Sequence, residues 1–195
     1  MTQQTAIEVL TTVGYEGFVK ALYNRSGDLS KDFTHAVLGI ITESHEYLTA
    51  TDEVNAIEEA GDLVFYLTAL KQVLDDISPI DGVVLGTTQG DVFARIDARD
   101  SPIMDIFVEW LDLAKRWVGY GKAPTMTTTK LLEEASSLVR LVVEQGAAAN
   151  TSMHVVLKAN VSKLLQRYNG MQFDAERAVA RDLFAEREVL ESHAV

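Results

Sequence analysis

The stretches Glu43-Ser44-His45-Glu46 and Glu59-Ala60-Gly61-Asp62 each place two carboxylates inside a strongly apolar helical run. The first stretch follows the apolar residues 36–41, and the second leads directly into the apolar residues 63–67. Residues three apart lie one turn above each other on an α-helix, so each pair points its carboxylates in one direction. Four carboxylates that converge beside a core repel one another unless a cation holds them. The two acidic pairs therefore predict a site for a hard metal ion.

The second pair is the more specific of the two. Asp62 follows Gly61 within a helix, where neither residue favours helix formation or burial. A glycine at this position lets another backbone or a ligand approach closely. A short turn near residues 49–52 separates the two pairs, so an antiparallel helix pair would bring them face to face.

The composition describes a globular protein with enough residues for one domain and a substantial core. Of its 195 residues 47% are hydrophobic, and no run approaches the roughly 18 apolar residues that span a bilayer. The N-terminal residues lack a signal-peptide pattern, which predicts a cytoplasmic protein.

Charge and cysteine content narrow the partners and the metal. A formal net charge of -12 argues against broad contact with a nucleic-acid polymer or an anionic membrane, since both require dense basic surfaces. Because the chain has no cysteine, disulfides and thiolate metal sites are excluded. Carboxylate and histidine ligands remain, and they indicate a hard ion such as magnesium or manganese.

Long stretches of period-3.6 apolar spacing, with three prolines in the whole chain, predict an all-α helical bundle that forms a single domain over 1–195. We expect seven helices, at about 5–24, 31–50, 53–76, 102–119, 128–146, 150–168 and 174–192. Within the domain, 78–150 is expected to be an inserted segment or a degenerate repeat. Val83-Val84-Leu85 in this segment fits either a short strand or an apolar loop.

A weak internal repeat supports the degenerate-repeat interpretation. The pattern Glu-Glu-Ala-x-x-Leu-Val occurs at 58–64 and again at 133–139, where Ser137 replaces the aspartate. An echo of the first acidic pair is present at Glu109 and Asp112. Chance similarity and a true duplication both remain open. A duplication would give one active acidic half and one degenerate half in a pseudo-symmetric bundle.

A basic helical segment at 158–168 carries three cations and no acid. Asn160, Lys163 and Arg167 occur at i, i+3 and i+7, so they share one helical face, and Lys158 lies nearby. Beside metal-binding carboxylates, such a face suits the phosphate tail of a nucleotide. A solvated amphipathic face is the alternative interpretation.

His35 is a candidate for the wall of a base-binding pocket. It lies eight residues before Glu43, which places it about two turns away on nearly the same helical face. A structural role for His35 is the alternative. Three aromatic residues have the chemistry to stack on a base, although core packing explains them as well: Phe33, Tyr66 and Trp117.

The order Glu-x-x-Glu, Glu-Glu-x-Gly-Asp and Ala-Asn-x-x-Lys-Leu-x-x-Arg-Tyr resembles the MazG-like family of all-α nucleoside triphosphate pyrophosphohydrolases, particularly its short phage-type members. The match covers residues 33–76 and 155–190. Five residues of the tail resemble the family's C-terminal extension: Phe173, Ala178, Arg181, Asp182 and Glu186. Residues 115–122 are similar to a Tyr-Gly-Lys connector of this family, here in the half with altered acids. That placement resembles the tandem-repeat arrangement of dimeric dUTPases.

The resemblance implies hydrolysis of an NTP or dNTP to a nucleoside monophosphate and pyrophosphate. It also implies two or more magnesium ions, for which manganese can substitute, and a homodimer or higher homo-oligomer. The implied catalytic and metal-binding residues are the four carboxylates of the acidic pairs: Glu43, Glu46, Glu59 and Asp62. The substrate-binding candidates are the basic face and the histidine: Asn160, Lys163, Arg167, Lys158 and His35.

Two alternatives to this function remain open at the level of sequence. The same fold can act on dUTP or on an alarmone. A protein of a different class would be a non-catalytic helical regulator that binds a nucleotide or a metal, with turnover blocked by the degenerate half. The intact set of four carboxylates favours catalysis.

Overall fold

The computed structural model describes residues 5–78, 103–145 and 151–193, and every regular element in these ranges is an α-helix. The all-α prediction is thereby confirmed for these ranges, whereas the bundle type and the pseudo-repeat stay predictions. None of the helices in these ranges has the length and apolar character needed to cross a bilayer. In chain order the helices are α1 (Ala6–Thr12), α2 (Gly14–Leu22), α3 (Leu29–Thr49), α4 (Glu53–Ile77), α5 (Ile103–Tyr120), α6 (Thr128–Gln145), α7 (Met153–Tyr168), α8 (Ala175–Val179) and α9 (Leu183–Glu191).

The antiparallel pair of α3 and α4 forms the centre of the fold. Asp28 caps the start of α3 by accepting hydrogen bonds from the backbone N–H groups of Ser30 and Lys31. Asp52 caps α4 in the same way, with Asn55 as the donor. The cap at Asp52 lies in the short connection between the two helices, which brings the end of α3 beside the start of α4.

Helices α5 and α6 cover one side of this pair. Helix α5 packs on α3, and α6 packs on both α4 and α3. Phe33 of α3 stacks on Trp110 of α5 with ring centroids 6.0 Å apart, and Leu131 and Leu132 of α6 are buried in the same core. The described part of the 78–150 segment therefore shares a hydrophobic core with the central pair.

The positions that echo the acidic pairs do not form a second acidic cluster. Glu109 is exposed on α5, and Asp112 pairs with Lys115 on the same helix. Ser137 is buried and donates a hydrogen bond from its hydroxyl to the backbone carbonyl of Glu133. Duplication of the hairpin stays a prediction.

Helix α7 also packs on α4 and carries the predicted basic face. Its close approach depends on Gly61, because a Cβ atom built there would lie 2.8 Å from Cβ of Asn160. A second buried cluster joins α7 to α1 and α2 through Phe18, Leu22 and Leu164. The sequence-based interpretation of Gly61 as a point of close approach agrees with this packing.

Replacing Gly61 with alanine is expected to lower the free energy of unfolding by about 1–3 kcal/mol, because the added methyl must push α7 away from α4. The matched control is Gly119→Ala near the end of α5, where no atom lies within 4 Å of the added Cβ. That control should leave stability unchanged or raise it by up to about 1 kcal/mol. Chemical denaturation of both variants measures the difference, and equal effects would contradict the packing argument.

Two predicted helices are interrupted in the structure. The helix expected at 5–24 divides into α1 and α2 at Gly14, whose positive φ of 74° is strained for other residues. The helix expected at 174–192 divides into α8 and α9, and Asp182 caps α9 by accepting from the N–H of Ala185. Arg181 therefore lies in a linker between two helices. Val83-Val84-Leu85 lies outside the described residues.

Candidate functional site

Three of the four predicted carboxylates meet where α3 faces α4. Glu43 and Glu46 come from α3 and Glu59 from α4, and each offers one oxygen such that these oxygens all lie within 4.8 Å of one another. Within the described ranges this is the only set of three or more such acidic or histidine groups. Glu46 is exposed, whereas Glu43 and Glu59 are half-buried. The spacing suits a shared cation with oxygen ligands.

The electrostatics of this cluster also fit a cation. Burial, together with the charges of Asp62 and Glu46, raises the pKa of Glu43 to about 7. Burial and Asp62 raise the pKa of Glu59 to about 9. Glu59 therefore retains its proton near neutral pH, and Glu43 is about half protonated there, unless a positive ion replaces the protons. A donor set of carboxylate oxygens matches Mg²⁺ or Mn²⁺, so the residues present fit the implied metal.

Asp62, the fourth predicted ligand, accepts hydrogen bonds from two side chains of α7. Its Oδ1 accepts a hydrogen bond from Nδ2 of Asn160 at 2.7 Å, and its Oδ2 accepts one from Nζ of Lys163 at 2.5 Å. Asp62 nevertheless lines the cavity beside the glutamates. The structure thus groups three glutamates directly and places Asp62 next to them with its orientation fixed by α7.

Asn160 and Lys163 do not reach the cavity that the sequence assigned to them. Both side chains are fully buried, and neither lines the cavity. The hydroxyl of Tyr15 donates to Oδ1 of Asn160 at 2.8 Å, which fixes the amide so that its NH₂ group faces Asp62. Tyr15 is a contributor that sequence reasoning missed, because it lies on α2, 145 positions from its partner. The geometry therefore favours positioning of Asp62 over direct contact with a substrate.

Lys163 connects two acidic residues of α4. Its Nζ lies 2.5 Å from Asp62 and 3.2 Å from Oε1 of Glu58. Burial disfavours its charge, but the charges of Asp62 and Glu58 outweigh burial and raise the pKa of Lys163 above its usual value. The lysine is therefore a permanent cation beneath the acidic cluster, at 0% side-chain exposure.

Arg167 lies at the edge of the cavity in a bidentate pair with Glu186 of α9. Its Nε and Nη2 donate to the two carboxylate oxygens at 2.9 and 2.7 Å. Arg181 donates to the same carboxylate at 2.7 Å and reaches Glu58 at 3.4 Å. Burial alone would raise the pKa of Glu186, but hydrogen bonds from the two arginines lower it to about 2. Arg181 is among the tail residues of interest in the sequence, but the sequence predicts no role for it.

The remaining predicted residues separate into one that lines the cavity and one that does not. His35 lines it and stacks on Tyr23 with ring centroids 5.0 Å apart, while Tyr66 meets it edge-on. Burial lowers the pKa of His35, so the ring is neutral near pH 7. Lys158 is half-buried on α7 and does not line the cavity, and it helps burial to lower the pKa of His193.

The cavity itself has a volume of about 490 Å³, within the range of roughly 300–1,000 Å³ typical of small-molecule sites. One part of its wall is acidic, with Glu43, Glu46 and Glu59. Another part is aromatic and contains six rings: Tyr23, His35, Phe65, Tyr66, Tyr168 and Phe173. The two arginines complete the wall, so acidic, aromatic and cationic groups face one volume.

Phe33 and Trp117 do not belong to this aromatic wall. Phe33 is fully buried in the core and packs on Trp117 with ring centroids 5.2 Å apart. Of the three aromatic residues considered from the sequence, Tyr66 alone lines the cavity.

Comparison with known protein families, with curated proteins and with solved structures finds no match for this chain.

Proposed function

We propose that this protein is a magnesium-dependent pyrophosphohydrolase that converts an NTP or dNTP to the nucleoside monophosphate and pyrophosphate. The observation that carries the proposal is the meeting of Glu43, Glu46 and Glu59 on the wall of a cavity that also has aromatic and arginine side chains. A nucleotide needs these three kinds of partner, because its metal-bound phosphates, its remaining negative charge and its base differ in chemistry.

The three glutamates would hold Mg²⁺, for which Mn²⁺ can substitute, and Asp62 would complete the acidic wall. When bound, the ion supplies charge neutralisation of the phosphates and activation of water. Lys163 and Asn160 hold Asp62 in one orientation, which limits the reorganisation that the site needs during the reaction.

The protein groups account for the rest of the reaction. A carboxylate of the cavity accepts a proton from a water molecule while the oxygen of that water bonds to the α-phosphorus. The bond between the α-phosphorus and the bridging oxygen then breaks, and pyrophosphate leaves with that oxygen. Arginines at the edge of the cavity offset the charge of the leaving group. His35 and Tyr66 offer ring faces and edges to the base.

A non-catalytic nucleotide-binding protein is the second candidate. The observation that favours it is Asp62, whose two oxygens already accept hydrogen bonds from protein donors. Such a carboxylate has fewer lone pairs to offer a second metal ion, and a site with one ion can bind a nucleotide without cleaving it. Assembly into a homo-oligomer and a cytoplasmic location stay predictions.

A panel of nucleotides tests the proposed function. The purified protein with Mg²⁺ is expected to release pyrophosphate and a monophosphate from at least one NTP or dNTP, with dUTP and an alarmone included in the panel. Chelation of the metal should abolish the release, because the site then lacks the ion that would neutralise the phosphates and activate water. Ion-exchange chromatography separates the products. Release of single phosphates would contradict the assigned bond, and nucleotide binding without turnover would support the second candidate.

A further inference from the structure

The cavity has a cationic corner formed by Arg167 and Arg181. Both guanidinium groups hydrogen-bond to Glu186, which is 2% exposed. Around Glu186 two positive charges face one negative charge, and Glu58, which Arg181 also reaches, is shared with Lys163. The corner faces the same volume as the clustered glutamates, so it can attract the free end of an anion whose other end is bound through a metal.

Arg167 is the less exposed of the two arginines. Its two hydrogen bonds to Glu186 form a bidentate fork, and its side chain is only 13% exposed. Charge-assisted forks of this kind are among the stronger polar contacts in proteins. Arg167 therefore supports the corner and has little surface to offer a ligand.

Arg181 is the more available of the two cations. Its side chain is 36% exposed, and its contact with Oε1 of Glu58 is long, at 3.4 Å. Hydrogen bonds to Glu186 use its Nε and Nη2, whereas its Nη1 has no hydrogen-bond partner within the part of the chain that the structure describes. A guanidinium has five N–H donors, so Arg181 can donate hydrogen bonds to a ligand while it remains bound to Glu186.

Glu58 remains paired when Arg181 turns away from it. The same Oε1 atom lies 3.2 Å from Nζ of Lys163, which is a shorter contact than the one with Arg181. After the long contact breaks, Glu58 therefore still contacts a cation, which it shares with Asp62. An exchange of partners by Arg181 has a low cost for this reason.

We propose that Arg181 binds the polyphosphate of the ligand and gives up its contact with Glu58 to do so. The inference rests on the proposed function, from which it takes the ligand to be a nucleotide with a polyphosphate chain. Glu186 acts as the fixed pivot, since its Oε2 accepts hydrogen bonds from Nε and Nη2 of Arg181 at 3.2 and 2.7 Å. The ligand group that Arg181 recognises is a phosphate oxygen at the end of the chain distant from the base.

Calorimetric titration of the full chain with inorganic triphosphate and Mg²⁺ tests this inference without relying on catalysis. Arg181→Gln should weaken binding by about 10- to 100-fold, as expected for loss of charge-assisted hydrogen bonds. Arg181→Lys keeps the charge but loses the planar guanidinium, so its affinity for triphosphate should lie between those of the wild-type protein and Arg181→Gln. The control is Arg177→Gln on α8, a 47% exposed arginine that does not line the cavity and should leave the affinity unchanged.

A double-mutant cycle with Glu58→Gln tests the exchange of partners. In the presence of Arg181 the change should strengthen triphosphate binding, because Arg181 then has no ion pair with residue 58 to break before it binds the ligand. In the Arg181→Gln background the gain should be smaller, and equal gains would overturn the exchange.

The outcomes separate this inference from the proposed function. Unchanged triphosphate affinity in Arg181→Gln, in a protein that hydrolyses nucleotides, would overturn the inference alone. Weaker binding by this variant, in a protein without turnover, would support the inference while the proposed hydrolysis fails. Absence of triphosphate binding by the wild-type chain would overturn the inference directly.

Discussion

Replacing Lys163 with methionine is expected to lower the free energy of unfolding by about 3–5 kcal/mol. The side chain is fully buried, and its ammonium group is shared by Asp62 and Glu58. Methionine fills a similar volume, so the loss comes from Asp62, which loses its cation, and from Glu58, which keeps only its longer contact with Arg181. Chemical denaturation in metal-free buffer at neutral pH measures the effect.

A control and a partial rescue distinguish this cause from a general effect of lysine removal. Lys158→Met, on the same helix but without an ion pair among the described residues, should change stability by less than about 0.5 kcal/mol. Adding Asp62→Asn to Lys163→Met should recover part of the loss, because it removes one unpaired charge. Equal effects of the two lysine variants would contradict the role of Lys163.

Replacing Glu59 with glutamine is expected to have opposite effects on activity and on metal-free stability. Pyrophosphate release should fall by about 100-fold or more, because one of the three proposed metal ligands becomes a neutral amide. Without metal, the variant should melt at a higher temperature than the wild-type protein near pH 8, because it removes a carboxylate that resists ionisation. Mg²⁺ should stabilise the wild-type protein and have little effect on the variant.

The pH dependence follows from the sign of the Glu59 shift. Its pKa of about 9 in the folded protein exceeds its ordinary value of 4.5, so the folded state binds the proton more tightly than the unfolded state. The associated stability is present below about pH 4.5 and is lost as the pH rises toward 9. The melting temperature of the metal-free protein should therefore fall as the pH rises across this window, and the fall should be smaller for Glu59→Gln.

Glu109→Gln is the matched control for Glu59→Gln. Glu109 lies on α5 as the echo of the first acidic pair, but it is exposed and outside the cavity. Neither activity nor the pH dependence of melting should change in this variant. A loss of activity with Glu109→Gln, or full activity with Glu59→Gln, would contradict the assignment of the site to the hairpin of α3 and α4.

Local geometry made part of this site predictable. The i and i+3 spacing of Glu43 and Glu46, and the turn that follows, were enough to predict that α3 and α4 bring acids together. The shared face of Asn160 and Lys163 was predictable for the same reason, and so was the close approach at Gly61. These features depend on helical periodicity and on steric size, which a sequence displays directly.

Long-range packing explains what the sequence could not indicate. Asp62 lies beside the glutamate cluster with both oxygens bound to α7, because two donors that lie 98 and 101 positions away hold them. The contribution of Arg181 depends on the break between α8 and α9, which the smooth amphipathic pattern did not reveal. The residues of the site were therefore easier to predict from the sequence than the side chain with which each of them interacts.

The separation in sequence between the acids and their cations has a consequence for synthesis on the ribosome. Glu43, Glu46, Glu59 and Asp62 come from one short stretch, whereas Lys163 follows Asp62 by 101 positions. A growing chain therefore exposes its acidic hairpin long before the lysine that neutralises it has been translated. During that interval dissolved cations or protons must balance the charge, so the nascent hairpin depends on the ionic composition around it.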